Sequence, residues 1–129
     1  MKTLYVTTRA AWRIWLHENH ASATEIWLIF YKKHTQLPSI GYEEAVEEAL
    51  CFGWIDSIVK TIDAEQYAQK FTPRKQRSNW SASNKRRVRQ MIAAGQMTPA
   101  GLAKITFPFS DADPTTDTGP DSANQDTPS

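Results

Sequence analysis

Cysteine is almost missing from this chain. Cys51 is the single one in 129 residues, which excludes an internal disulfide and any metal cage built from several thiolates. Nothing here calls for an oxidising compartment, and the cytoplasm is the expected location. Long hydrophobic runs are missing too. The first residues, Met1-Lys2-Thr3-Leu4-Tyr5-Val6, lack the apolar stretch of a secretion signal, and no segment approaches the roughly 18 apolar residues of a membrane span. A soluble protein without a membrane span is therefore expected. There are no internal repeats.

Net charge is also nearly absent, at +1, but the charges are sorted along the chain. Residues 1–59 carry five basic and seven acidic side chains, residues 60–104 ten basic and two acidic, and residues 105–129 five Asp with no Lys or Arg. Such sorting speaks about partners rather than fold. From Pro108 to Ser129 the only apolar side chains are Phe109 and two Ala. That composition cannot offset an ordering cost of roughly 1–2 kcal/mol per residue. One α+β domain over residues 1–107 and a disordered acidic tail over 108–129 are expected.

Within the domain, Thr8 can cap a helix from about Arg9 to Asn19, with Trp12, Trp15, Leu16 and Asn19 on one face. Ile26 to Tyr31 is a continuous β-favouring run, as in a central strand or one covered on both faces. Tyr42, Ala45, Val46, Ala49 and Leu50 recur at helical spacing up to about Cys51, with Gly53 as a stop. Trp54 to Ile62 and Tyr67 to Thr72 form an expected hairpin. Ser81 or Ser83 can cap a helix to about Ala94, and Thr98-Pro99 opens a short one through Ile105.

The segment from Phe71 to Arg89 mixes cations, aromatics and cap residues. Arg offers a two-pronged fork to phosphate or carboxylate, and the free amides of a following helix start add positive potential. Arg74, Lys75 and Arg77 are the candidate anion ligands, with Trp80 as a stacking surface. The other reading is a solvated basic face, with Trp80 as a core plug and Arg74 paired to a carboxylate such as Asp56. In Cys51-Phe52-Gly53-Trp54-Ile55-Asp56, Trp54 and Asp56 stand at a helix-to-strand junction and form the expected floor of a cleft. A carboxylate inside an apolar strand needs a partner. Cys51 is either a buried small hydrophobe or a thiol beside Asp56, and His34, the nearest histidine in sequence, is not positioned as its base. His17 and His20 sit three apart near a helix end, where they suit a capping role better than a metal site. No catalytic residue, metal or cofactor is assigned.

These blocks carry a family resemblance. Trp12 to Leu16, Ile26-Trp27-Leu28, Tyr42 to Asp56, Phe71-Thr72-Pro73-Arg74-Lys75, Ser78-Asn79-Trp80-Ser81 and Gly95 to Gly101 occur in the order seen in the YdeI/OmpD-associated, or bacteriocin-protection, family. The chain resembles that family over roughly residues 8–105. The resemblance implies a YjbR/CyaY-like fold, a compact antiparallel sheet with packed helices, in a bacterial cytoplasmic protein linked to stress and bacteriocin protection. It also implies a second helical portion past the Met97-to-Gly101 region, whereas this chain becomes Asp-rich after Ile105. The resulting expectation is a non-enzymatic module for an anionic ligand, phosphate, carboxylate or nucleic acid. A small enzyme built around Asp56 and Cys51, or a protein-interaction domain, is the alternative.

Overall fold

The computed structural model describes residues 1–76 and 79–108. The expected ligand Arg77 and the expected tail from Phe109 onward lie outside the described residues.

Among the described residues nine elements follow one another: β1 (Thr3–Leu4), α1 (Arg9–Asn19), β2 (Ile26–Tyr31), a 3-10 turn (Lys33–Thr35), α2 (Tyr42–Cys51), β3 (Trp54–Thr61), β4 (Gln66–Pro73), α3 (Ala82–Ala93) and α4 (Pro99–Leu102). The strands form one sheet in the order β1-β2-β4-β3. This is an α+β fold with a mixed sheet. β3 and β4 make the expected antiparallel hairpin, and β2 pairs antiparallel with β4. The sheet expected to be wholly antiparallel gains a parallel member, because β1 lies alongside β2 with Thr3 opposite Trp27 and Leu4 opposite Leu28. Two residues are too few to show any periodicity, so this strand has no signature in the sequence.

Alternation along β2 splits the apolar residues between two faces. Ile26, Leu28 and Phe30 join Phe71 of β4 in the main core, against Trp12 and Leu16 of α1 and Val46, Ala49 and Leu50 of α2. Trp27, Ile29 and Ala68 form a small cluster on the opposite face. A strand buried on both faces explains the unbroken run Ile26 to Tyr31.

The helix starts follow the cap residues. Thr8 accepts a hydrogen bond from Ala11 N at 3.1 Å, and Ser81 accepts one from Asn84 N at 3.1 Å. Thr98 accepts from Gly101 N at 3.3 Å and donates to Cys51 O at 2.6 Å, tying α4 to the end of α2. Gly53 ends α2 at φ 77°, a conformation open to glycine because it has no Cβ. Its amide region then feeds β3, and Gly53 O accepts from Arg74 N at 2.8 Å. That bond fixes the end of β4 against the α2–β3 junction and so sets the place of Arg74.

Candidate functional site

Arg74 follows β4 directly, at the point where the chain leaves the sheet for α3. It is only 3% exposed. Its Nη2 donates to the carbonyl of Asn79, and its guanidinium lies 3.8 Å from the centre of the Trp80 ring. Lys104 donates to the Arg74 carbonyl at 2.5 Å, so the backbone here is held as well as the head group. No carboxylate among the described residues forms an ion pair with Arg74. Burial pushes its pKa down to about 10, opposed by the negative charge of Asp56. Among the described residues it is a buried cation held without a counter-ion in contact.

Beside it opens a cavity of about 320 Å³, walled by Ile55, Pro73, Arg74 and Lys75 and, from the start of α3, Ser81 and Asn84. The first amides of a helix have no partner within it and carry positive potential. The cavity therefore meets a guanidinium on one side and the positive end of a twelve-residue helix on another.

Asp56 stands nearby on β3. Its Oδ2 accepts from the Tyr42 hydroxyl at 2.8 Å and from Gln69 Nε2 at 3.2 Å. Burial raises its pKa, while the Tyr42 bond and the charges of Arg87 and Arg74 act the other way. The Tyr42 hydroxyl is itself driven far above its ordinary range by burial and by the adjoining carboxylate. Arg87 of α3 donates to both carboxylate oxygens of Glu43, at 2.7 and 3.0 Å, and to Asn84 Oδ1 at 2.7 Å. The Arg87 partner holds the Glu43 carboxyl below its ordinary value.

The buried side-chain atoms without a hydrogen-bond partner include Asp56 Oδ1, Arg74 Nε, Trp80 Nε1 and Ser83 Oγ. An unsatisfied buried polar atom costs about 1–3 kcal/mol. Native folds keep few of them, and each calls for a reason. Here they belong to the end of β4, the start of α3 and the adjoining strand.

The six expected ligands thus divide. Arg74 and Lys75 line the cavity, and Trp80 stacks on Arg74 rather than presenting a free face. Trp80 also meets Phe107 edge-on at 5.0 Å, and Lys85 and Arg89 lie 5.5 and 5.6 Å from the Phe107 ring. Trp54, expected on the cleft floor, is 1% exposed, packs edge-on against Trp15 and donates Nε1 to His20 O at 3.3 Å; it belongs to the core. Asp56 does not pair with Arg74 directly, and acts on it through space. The basic segment expected at the surface is partly interior, since Arg74 and Arg87 are both buried.

Tyr42, Gln69, Asn79 and Asn84 complete the arrangement and were not foreseen. Only Tyr42 left a signal: a hydroxyl on the apolar stripe of a helix must find a partner if that stripe is buried. Cys51 is fully buried, and burial beside Glu48 raises its pKa to about 11. A thiol held protonated in the core is a poor nucleophile. His17 and His20 face Phe52, and His20 Nδ1 lies 2.9 Å from Leu16 O at the end of α1.

Fold and site define an α+β domain with a buried arginine beside a small cavity. A family model described as a domain of unknown function, DUF8412, matches residues 4–104, and the chain belongs to that family. No curated protein and no solved structure matches it. Among the described residues, no helix is long and apolar enough to cross a membrane.

Proposed function

We propose that this domain is a non-enzymatic binding module that takes one small oxyanion group, phosphate or carboxylate, in the cavity beside Arg74. The observation that carries this reading is the state of Arg74: 3% exposed, without a carboxylate partner among the described residues, its Nε unsatisfied, and lining an open cavity. A charge kept inside a protein is normally paired and fully hydrogen-bonded. An oxyanion supplies both the charge and the acceptors. The start of α3 favours the same sign.

The geometry favours a single anionic group over a polyanion. Lys70 pairs with Glu25 at 3.2 Å, Arg87 with Glu43, and Lys104 with a backbone carbonyl, so several charges of the basic segment are used within the fold. A nucleic acid would instead require a track of free cations along its phosphates. The resemblance to the bacteriocin-protection family, with its YjbR/CyaY-like fold, supports a stress-related role in the bacterial cytoplasm, and the lone buried Cys51 suits a reducing compartment.

Calorimetric titration of inorganic phosphate and of acetate into the full chain tests the reading. Saturable binding at millimolar or lower concentration, lost in Arg74→Met while the variant stays folded, is expected. Equal binding by both proteins, or none up to about 10 mM, which is weaker than about −3 kcal/mol, overturns it.

A further inference from the structure

A second cavity, of about 460 Å³, opens at the end of β2, where the chain turns through residues 32–41 into α2. Its walls include the rings of Phe30, Tyr42 and Tyr67, the side chain of Ile40, and Lys32 and Lys33. Among the described residues it shares no wall with the cavity beside Arg74. Phe30 and Tyr67 already form a stack, 5.3 Å between ring centres with planes 7° apart. Phe30 is buried and Tyr67 half-buried, and a stacked pair leaves the outer face of its more open ring for a third ring.

The charge here is of one sign. Among the described residues no acidic side chain borders this cavity, and neither Lys32 nor Lys33 forms an ion pair. The acidic groups nearby in the chain are engaged elsewhere: Glu43 is joined to Arg87, and Asp63 accepts from the backbone amides of Glu65 and Gln66. The wall is also held in advance of any ligand. Ser39 Oγ accepts from Tyr31 N at 2.7 Å, and the Tyr5 hydroxyl donates to Pro38 O at 2.5 Å. Thr35 Oγ1 donates to Lys32 O at 2.7 Å and accepts from Leu37 N at 3.1 Å. Between Thr35 and Leu37, Gln36 stands at φ 59°, the one non-glycine residue with a left-handed backbone among the described residues. That conformation is unfavourable for a side chain with a Cβ, and strain of this kind gathers at ligand sites.

A preformed cavity of aromatic and aliphatic walls with a few converging charges is the form of a small-molecule site. We infer that this cavity is a second binding site, for a planar aromatic anion whose ring lies against Tyr67 while its negative group reaches Lys32 and Lys33. An aliphatic anion gains nothing from the stack, and a neutral ring gains nothing from the lysines. This site stands independently of the one at Arg74.

The probe is 2-naphthoate, whose own fluorescence reports the transfer of its ring from water and whose carboxylate is ionised at about pH 7. Titrated into the full chain, it is expected to bind saturably with a Kd below about 1 mM. The uncharged 2-naphthalenemethanol should bind about tenfold more weakly, having no attraction to either lysine. Lys33→Gln, at an exposed side chain, should weaken naphthoate binding about two- to fivefold. Tyr67→Leu should weaken it about three- to tenfold through loss of the stack. Phosphate at about 10 mM and constant ionic strength should leave the naphthoate in place. No binding up to about 10 mM, equal binding of the charged and uncharged probes, or full displacement by phosphate overturns the proposal. Should Tyr67→Leu fail to fold, Lys33→Gln decides, and unchanged affinity there contradicts the site.

Discussion

Replacing Arg74 by Met removes the charge and keeps most of the side-chain length. The fall of the Arg74 pKa to about 10 reflects a cost of about 3 kcal/mol for holding the charged form inside. Methionine removes that cost. It also removes the bond to the Asn79 carbonyl, where a charged donor contributes about 1.5–3 kcal/mol, and the stack on Trp80, worth about 0.5–2 kcal/mol. A thioether against an indole recovers part of the latter. The opposing contributions nearly cancel, so the folding free energy should change by less than about 1.5 kcal/mol in either direction. For a domain of this size that is a shift in Tm of no more than about 10 °C. Urea unfolding followed by tryptophan fluorescence supplies the value, and the phosphate titration supplies the function. Near-unchanged stability with binding lost is the predicted pair. A loss above about 3 kcal/mol would show that Arg74 is there to hold the fold, and would refute the reasoning.

Other substitutions probe the frame around the site. Gly101→Ala should destabilise by about 3 kcal/mol or more in urea unfolding, because a Cβ would stand 2.3 Å from Cys51 O and 2.7 Å from Leu50 O, both backbone atoms; a change below about 1 kcal/mol would contradict the close approach of α4 to α2. Glu43→Gln should lower Tm at pH 7, since a carboxyl with a depressed folded-state pKa stabilises above its ordinary value and loses that contribution as pH falls through the depressed one. The difference between variant and wild type should shrink as pH falls below the ordinary carboxylate range and vanish once Glu43 is protonated in both states, and a constant difference would argue against the Arg87 pairing. Native Cys51 should react with a thiol reagent only on unfolding, being fully buried and protonated, whereas rapid labelling would reopen a catalytic role.

The elements were legible wherever periodicity or a cap residue marked them. Thr8, Ser81 and Thr98 each cap the helix that they announced, and the run Ile26 to Phe30 is buried on both faces. The parallel pairing of β1 was not legible, because it is a contact between Thr3–Leu4 and a strand more than twenty residues away. The site was half legible. Cations near a helix cap and a carboxylate in an apolar strand drew attention to Arg74 and Asp56 on chemical grounds. Which cations face inward is decided elsewhere, by the Gly53–Arg74 backbone bond and by Glu43 reaching Arg87 across a separation of 44 residues. Trp54 shows the same limit. An aromatic at a helix-to-strand junction suits a cleft or a core, and its packing on Trp15 places it in the core.

The central claim is that the cavity lined by the buried Arg74 takes an oxyanion. The Arg74 Nε and Trp80 Nε1 protons can be followed by NMR as inorganic phosphate is added to the full chain. The account predicts that the Arg74 side-chain resonances move along a saturable curve as phosphate fills the cavity that Arg74 lines. An unmoved Arg74 resonance at saturating phosphate, with shifts confined to exposed lysines, would contradict it.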